Sequence, residues 1–369
     1  MWLLVFILGS VGLIVGAELL VRGASRLAAA VGVTPLVIGL TVVSLGTSAP
    51  EIAISIDASL RGHADIAMGN IVGSNIFNVL LILGLSALIG PLIVSQRLLW
   101  WDVPLMIGFA ILLLLLGLDR SIGRFDGAVL CLVLVAYVGW TIHLSRRERQ
   151  EESHQYANPD APNGKRMTRN IIAQLALITG GLALLVIGAE WFVQGAVKIA
   201  LALGISELVV SLTIVAAGTS LPEVVVSVLA SYRGERDIAV GNVVGSNIFN
   251  ILAVLGLTAV VLPSGVPVPL AVLHFDIPVM IAAFVACLPI FMTGHLISRW
   301  EGGLFVGYYA AYTLYVILDA TAHDGLPIFS QIMLVFVLPL TVVTLLIAVT
   351  RAYRQGRRRP IQDAKVKLR

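Results

Sequence analysis

The sequence predicts an all-α polytopic membrane protein: two inverted five-helix repeats plus an extra C-terminal transmembrane helix. Three observations predict it. The 369 residues are 58% hydrophobic and 12% charged, with a mean hydropathy of +0.98, whereas a soluble domain carries about a quarter charged residues. Apolar runs of about twenty residues recur from end to end, the length that crosses a bilayer as a helix. Residues 32–85 align without gaps to 204–257, with 32 of 54 positions identical, which marks an internal repeat. Lipid cannot hydrogen-bond a bare backbone, so each span must be helical or buried.

The first span, 2–22, opens MWLLVFILGSVGLIVGAELLVRG. It has no basic stretch before its apolar run and no small-residue cleavage site, so it reads as a retained helix rather than a signal peptide. Spans at 33–60, 64–89, 99–118 and 124–144 complete a first half, residues 1–144. The polar stretch SRRERQEESHQYANPDAPNGKRMTRN, 145–170, reads as a cytoplasmic linker. Spans at 171–197, 205–231, 237–262, 271–293 and 299–320 make the second half, 171–320. An eleventh span, 327–350, lies in the segment 321–350, and a basic cytoplasmic tail fills 351–369.

Charge sets the expected orientation. With the N-terminus outside and the C-terminus cytoplasmic, 20 of the 24 Lys and Arg face the cytoplasm, leaving only Arg61, Arg120, Arg124 and Lys198 outside. That agrees with the positive-inside rule and places the chain in the cell (inner) membrane. Each half holds five spans. Five is odd, so the halves run in opposite senses, and inverted repeats put a site near the midplane between equivalent discontinuous helices.

The repeat concentrates its identity in two motifs. GTSAPE (46–51) matches GTSLPE (218–223), and GNIVGSNIFN (69–78) matches GNVVGSNIFN (241–250). Pro50 and Pro222 cannot donate to the carbonyls of Gly46 and Gly218, and freed carbonyls suit a cation. Thr47, Ser48 and Glu51 fall at i, i+1 and i+4, so Thr47 and Glu51 share a face with Ser48 beside them. Thr219, Ser220 and Glu223 repeat this. On the next helix Asn70, Ser74 and Asn78 form one polar stripe, as do Asn242, Ser246 and Asn250. All are hard oxygen donors with no Cys or His among them, which argues for Na⁺ or Ca²⁺ over zinc or copper. An ionised side chain at the bilayer centre costs about 2.5–3.5 kcal/mol, and one Ca²⁺ or two Na⁺ would neutralise both glutamates.

Other features carry plainer readings. The GxxxG pairs Gly69–Gly73 and Gly241–Gly245 can serve helix packing alone. Glycine recurs every seven residues at Gly9, Gly16 and Gly23 and at Gly181, Gly188 and Gly195, either for close packing or as a smooth seam on which these two helices slide. Glu18 and Arg22 are spaced for an i,i+4 pair, and Glu190 has Gln194 at the same spacing. Asp102 and Asp276, each near a Pro, read as helix caps. Cys131 and Cys287 read as small buried hydrophobes, and the scattered histidines form no metal cluster.

The paired GTS-x-PE and GSNIFN motifs resemble the alpha-repeats of the calcium/cation antiporters, the sodium/calcium exchangers, closest to the prokaryotic and potassium-dependent branches. The resemblance covers about ten of the eleven spans. It implies a ten-helix core taking Na⁺ inward against Ca²⁺ outward by alternating access, with the first and sixth helices sliding across the rest. It implies that Glu51 and Glu223 bind the ions, helped by Thr47, Ser48, Thr219, Ser220, Ser74 and Ser246, by Asn78 and Asn250, and by the backbone carbonyls of Ser44 and Ala216. Some members carry Asp in the second GSNxxN-type motif; here both positions are Asn. Potassium co-transport and H⁺ in place of Na⁺ therefore stay open. The expected partners are the ions and the bilayer, with no cofactor, nucleic acid or obligatory protein partner. Against antiport stand a cation channel and an intramembrane enzyme using two carboxylates; no catalytic residue is assigned.

Overall fold

The structure, a computed structural model, describes residues 2–155, 164–204, 216–292, 294–344, 346 and 350, the side chains of 148–170 and Ala216 excepted. Eleven helical elements follow in order. The first half holds α1 (Trp2–Val31), α2 (Pro35–Leu60), α3 (Ala64–Ile89), α4 (Leu98–Asp119) and α5 (Arg124–Gln155). The second holds α6 (Gly164–Ala202), α7 (Ala216–Gly218 and Leu221–Tyr232), α8 (Arg236–Val261), α9 (Val272–Met292) and α10 (Arg299–Ala320). The last is α11 (Leu326–Thr344). Ten of these are long and apolar enough to cross a membrane. The eleventh, α7, was expected over 205–231, and 205–215 lie outside the described residues. The polar linker is shorter than 145–170 suggests, because α5 runs on to Gln155 and α6 begins at Gly164.

Contacts recur in mirror pairs, so the two halves are related as the repeat requires. The strand Leu92–Ile93 (β1), after α3, pairs antiparallel with Leu296–Ile297 (β4), before α10. Ser121–Ile122 (β2), after α4, pairs the same way with Val266–Pro267 (β3), after α8. Arg299 donates to the carbonyl of Ile89 at the end of α3, and Arg124 to that of Val261 at the end of α8. These cations meet orphan carbonyls at the negative ends of the helices. One face of the bundle holds β1, β4, and the turn at Arg233; the opposite face holds β2, β3 and the turn at Arg61.

Proline shapes α4 and α9 alike. Pro104 and Pro278 lack the N–H of a regular turn, and each follows a π-helical turn, Leu98–Asp102 and Val272–Asp276. Two more π-helical turns begin at Asn78 and at Asn250; such turns are rare and gather at functional sites.

The glycines of α1 and α6 bring these helices together backbone to backbone. A methyl on Gly16 would sit 2.7 Å from the Gly181 carbonyl oxygen, and one on Gly188 2.7 Å from the Leu13 nitrogen. The seam therefore lies between α1 and α6 and joins them as a pair.

The cap reading of Asp102 is corrected. Asp102 makes no cap bond; it is buried, accepts from Tyr137 Oη at 3.1 Å and lies 3.8 Å from Arg97 Nε. Asp276 accepts from Tyr312 Oη at 2.8 Å. Each ties its helix to the next one in its own half. Glu18 does pair with Arg22, and Gln194 donates to Glu190. Cys131 and Cys287 are both free thiols.

Candidate ion-binding site

Both discontinuous helices break at the serine of the GTS motif. Ser48 sits at φ −80°, ψ 4° and Ser220 at φ −90°, ψ 9°, a bridge-region conformation outside the helix. Each proline occupies the start of the resumed helix, where a missing N–H is tolerated. Glu51 and Glu223 follow in the first turn of those segments. The positive end of a helix dipole thus points at each carboxylate.

The breaks interlock. Ser220 Oγ donates to Glu51 Oε1 at 3.0 Å, and Ser48 Oγ to Glu223 Oε1 at 3.4 Å, so each half supplies a hydroxyl to the other half's carboxylate. Ser220 Oγ also bonds Ser74 Oγ at 3.2 Å, and Thr47 Oγ1 lies 3.4 Å from Ser246 Oγ. Thr47 donates to Asn242 Oδ1 at 3.2 Å and Thr219 to Asn70 Oδ1 at 3.5 Å. Asn242 and Asn70 in turn donate to Ser227 and Ser55 on their own halves. These two asparagines brace the threonines across the interface, a role that stripe spacing alone did not separate from ligation.

Both carboxylates are 1% exposed. Their second oxygens, Glu51 Oε2 and Glu223 Oε2, are buried with no hydrogen-bond partner. The Asn250 Oδ1 and both polar atoms of Asn78 are in the same condition. Among the described residues no ion pair reaches either glutamate. Buried, unpartnered acceptors are costly and rare. Two buried carboxylates, each with an unpartnered oxygen, can take up a hard cation, which satisfies lone pairs and charge together.

Two expected ligands stand differently. Ser44 Oγ is buried and donates to the Gly39 and Asn242 carbonyls, facing α8. Its own carbonyl already accepts from the Ser48 N–H at 2.9 Å. Ala216 begins the short helix before the α7 break, and its side chain lies outside the described residues. The structure adds two groups that stripe counting passed over: Asn75 and Asn247, both wholly buried between the helices. Their signal was present, as polar residues repeated inside GSNIFN, but a period of four skips them.

Comparison with known proteins places this geometry. The family model described as sodium/calcium exchanger protein matches residues 1–143 and 173–318. The putative antiporter CaxA of Alkalimonas amylolytica is 40% identical over 318 residues, spanning 82% of this chain and 96% of that one. The sodium/calcium exchanger MaX1 of Methanosarcina acetivorans is 35% identical over 343 residues, 84% of this chain and 96% of its own. Among solved structures, the sodium-calcium exchanger NCX_Mj soaked with 10 mM Na⁺ superimposes with a TM-score of 0.72 at 33% identity, over 86% of this chain and 98% of that one. The chain, a helical multi-pass membrane protein with a buried two-carboxylate cage between inverted halves, belongs to the sodium/calcium exchanger family.

Proposed function

We propose that the chain is a secondary antiporter that exchanges Na⁺ for Ca²⁺ by alternating access, with Glu51 and Glu223 as the charged ligands of both ions. The observation that carries the reading is the crossed pair of hydrogen bonds, Ser220 to Glu51 and Ser48 to Glu223, which leaves one buried oxygen of each carboxylate unpartnered. A cage built equally from two inverted halves can open to either side without being rebuilt. Thr47, Thr219, Ser74, Ser246, Asn78 and Asn250 supply neutral oxygens, and backbone carbonyls at Ser44 and Ala216 complete the set. The N-terminus lies outside and the basic tail inside, by the Lys and Arg distribution.

Two carboxylates balance one Ca²⁺ or two Na⁺. They also balance two protons, since Asn rather than Asp stands at both 78 and 250. Calcium/proton exchange is thus the second reading, and potassium-dependent exchange a variant of the first. Purified protein in liposomes, loaded with one cation and given ⁴⁵Ca outside, separates them. An outward Na⁺ gradient at clamped pH, with K⁺ absent, is expected to drive ⁴⁵Ca uptake. Uptake driven only by a proton gradient would overturn the Na⁺ reading, and uptake only with K⁺ present would assign the potassium-dependent form.

A further inference from the structure

We infer that Asn75 is a positioning residue for the cation cage, orienting the amide of Asn250 through a hydrogen-bonded relay anchored on the sulfur of Met280. The inference rests on the reading of the cage as a cation site. Asn75 is wholly buried on α3, one residue past Ser74. Its Nδ2 donates to Met280 Sδ on α9 at 3.4 Å, and its Oδ1 accepts from Asn250 Nδ2 on α8 at 3.3 Å. The direction of this relay follows from chemistry. A thioether sulfur can only accept, whereas the two ends of an Asn amide differ in function but hardly in shape. Met280 therefore takes the NH₂ end of Asn75. The oxygen of Asn75 is left for Asn250, which must present its own NH₂ there. The Asn250 Oδ1 is then turned away from Asn75, buried and without a protein partner.

Asn250 continues the stripe of Asn242 and Ser246, both of which bond Thr47 at the cage. A reversed Asn250 amide would offer the cation two N–H dipoles of the wrong sign. The relay thus converts an ambiguous amide into an oxygen ligand. The mirror residues are Asn78 for Asn250, Asn247 for Asn75 and Met106 for Met280. All three are buried, yet neither polar atom of Asn78 or Asn247 has a partner, so the relay is made in one half only.

Calcium binding to the purified full-length protein, measured by ⁴⁵Ca equilibrium dialysis in Na⁺-free buffer, tests this. Asn75→Ala is expected to raise the half-saturating Ca²⁺ about fivefold to tenfold, the worth of one oriented hydrogen bond. Met280→Leu, which keeps volume and removes only the acceptor, should shift it the same way by about twofold to fivefold. In an Asn250→Asp background both side-chain oxygens are alike, so adding Asn75→Ala should change affinity by no more than about twofold. Loss of the same size in both backgrounds would make Asn75 a packing residue, and no shift from Asn75→Ala or Met280→Leu in the native background would remove the relay. Glu51→Gln and Glu223→Gln serve as controls. If they bind Ca²⁺ as the native protein does, the cage reading itself fails; if they lose it while Asn75→Ala does not, only the relay fails.

Discussion

The two halves carry nearly the same sequence through their motifs and do not sit in the same surroundings. At the cage most of their bonds are mirrored, the Asn75–Asn250 relay excepted. The crossed serine–glutamate bonds occur twice, and so do the threonine–asparagine bonds and the asparagine braces. Away from the cage the mirror holds in the strand pairs but fails in helix packing and in the ion pairs at the bundle ends. Gly241 and Asn242 of α8 are buried against α2, whereas Gly69 of α3 is exposed and Asn70 only half-buried. Glu18 of α1 holds Arg233 at the end of α7, but among the described residues its mirror Glu190 bonds only its neighbour Gln194. Identical motifs in unlike settings mean that the repeated sequence specifies the central bonds, and the packing around them is what differs between the halves. For the alternating access proposed above, that division would supply a constant binding set in two unlike surroundings.

The symmetry of the cage is the part most open to breakage. Glu51→Gln and Glu223→Gln each remove one of the two proposed charged ligands while keeping size and hydrogen-bonding shape. Each is expected to lower exchange by about a hundredfold or more, with the purified variant still monodisperse and cooperatively unfolding. Reconstituted ⁴⁵Ca flux checks it. The two losses should be alike. Exchange retained in one variant would show that its half contributes shape without charge, and the mirror at the cage would be only geometric.

The asymmetry of the walls gives a prediction of middle size. A methyl at Gly241 would lie 2.7 Å from the Leu36 carbonyl oxygen and 3.2 Å from Leu40 N, both backbone atoms. At Gly69, among the described residues, nothing lies within 4 Å. Gly241→Ala should therefore force α2 and α8 apart and cost about 1–3 kcal/mol. Gly69→Ala should be neutral or gain up to about 1 kcal/mol from helix propensity. Thermal unfolding of the two purified variants reads the difference. Equal midpoints would mean that the GxxxG of α8 and that of α3 pack alike, contrary to the observed burial.

What the sequence made legible follows from which signals are local. Eleven spans stand out by their apolar runs, ten of them described at membrane-crossing length, and the site motifs by their repetition, because both are patterns along the chain. The position of the break in α2 was nearly legible: Pro50 announces it, and the chain turns two residues earlier, at Ser48, because proline suits the start of the resumed helix. Partners distant in sequence were not legible. Asp102 looks like a cap from its neighbours, but Tyr137, 35 positions on, takes its carboxylate. Asn75 was passed over because a straight helix puts 70, 74 and 78 on one face; Asn75 lies one position off that stripe, and its partners Met280 and Asn250 come from helices distant in sequence. Hydropathy marks where the apolar runs end but not where the helices do: α5 and α6 continue into the polar stretch, to Gln155 and from Gly164.

The smallest predicted effect tests the asymmetry at the bundle ends. Glu18 accepts from Arg22 on its own helix and from Arg233 at 2.9 Å, linking α1 to the end of α7, and Ser25 adds a bond to Glu235 at 3.0 Å. On the opposite face Arg61 is held by Asp57 at 2.8 Å, where the second half has Leu229. Arg233 lacks that local acid and reaches across to Glu18 instead. Such partly exposed pairs are worth at most about 1 kcal/mol. Glu18→Gln should therefore change the exchange rate by no more than about fivefold at low salt, converging on the native rate near 0.5 M salt as screening removes the pair. Glu190→Gln should stay within about twofold at either salt, having no cation to release. A salt-dependent change of equal size in both variants would mean that the two ends are equivalent in the working protein. The mirror would then extend to the bundle ends, and the one-sided bond between α1 and α7 would not distinguish them.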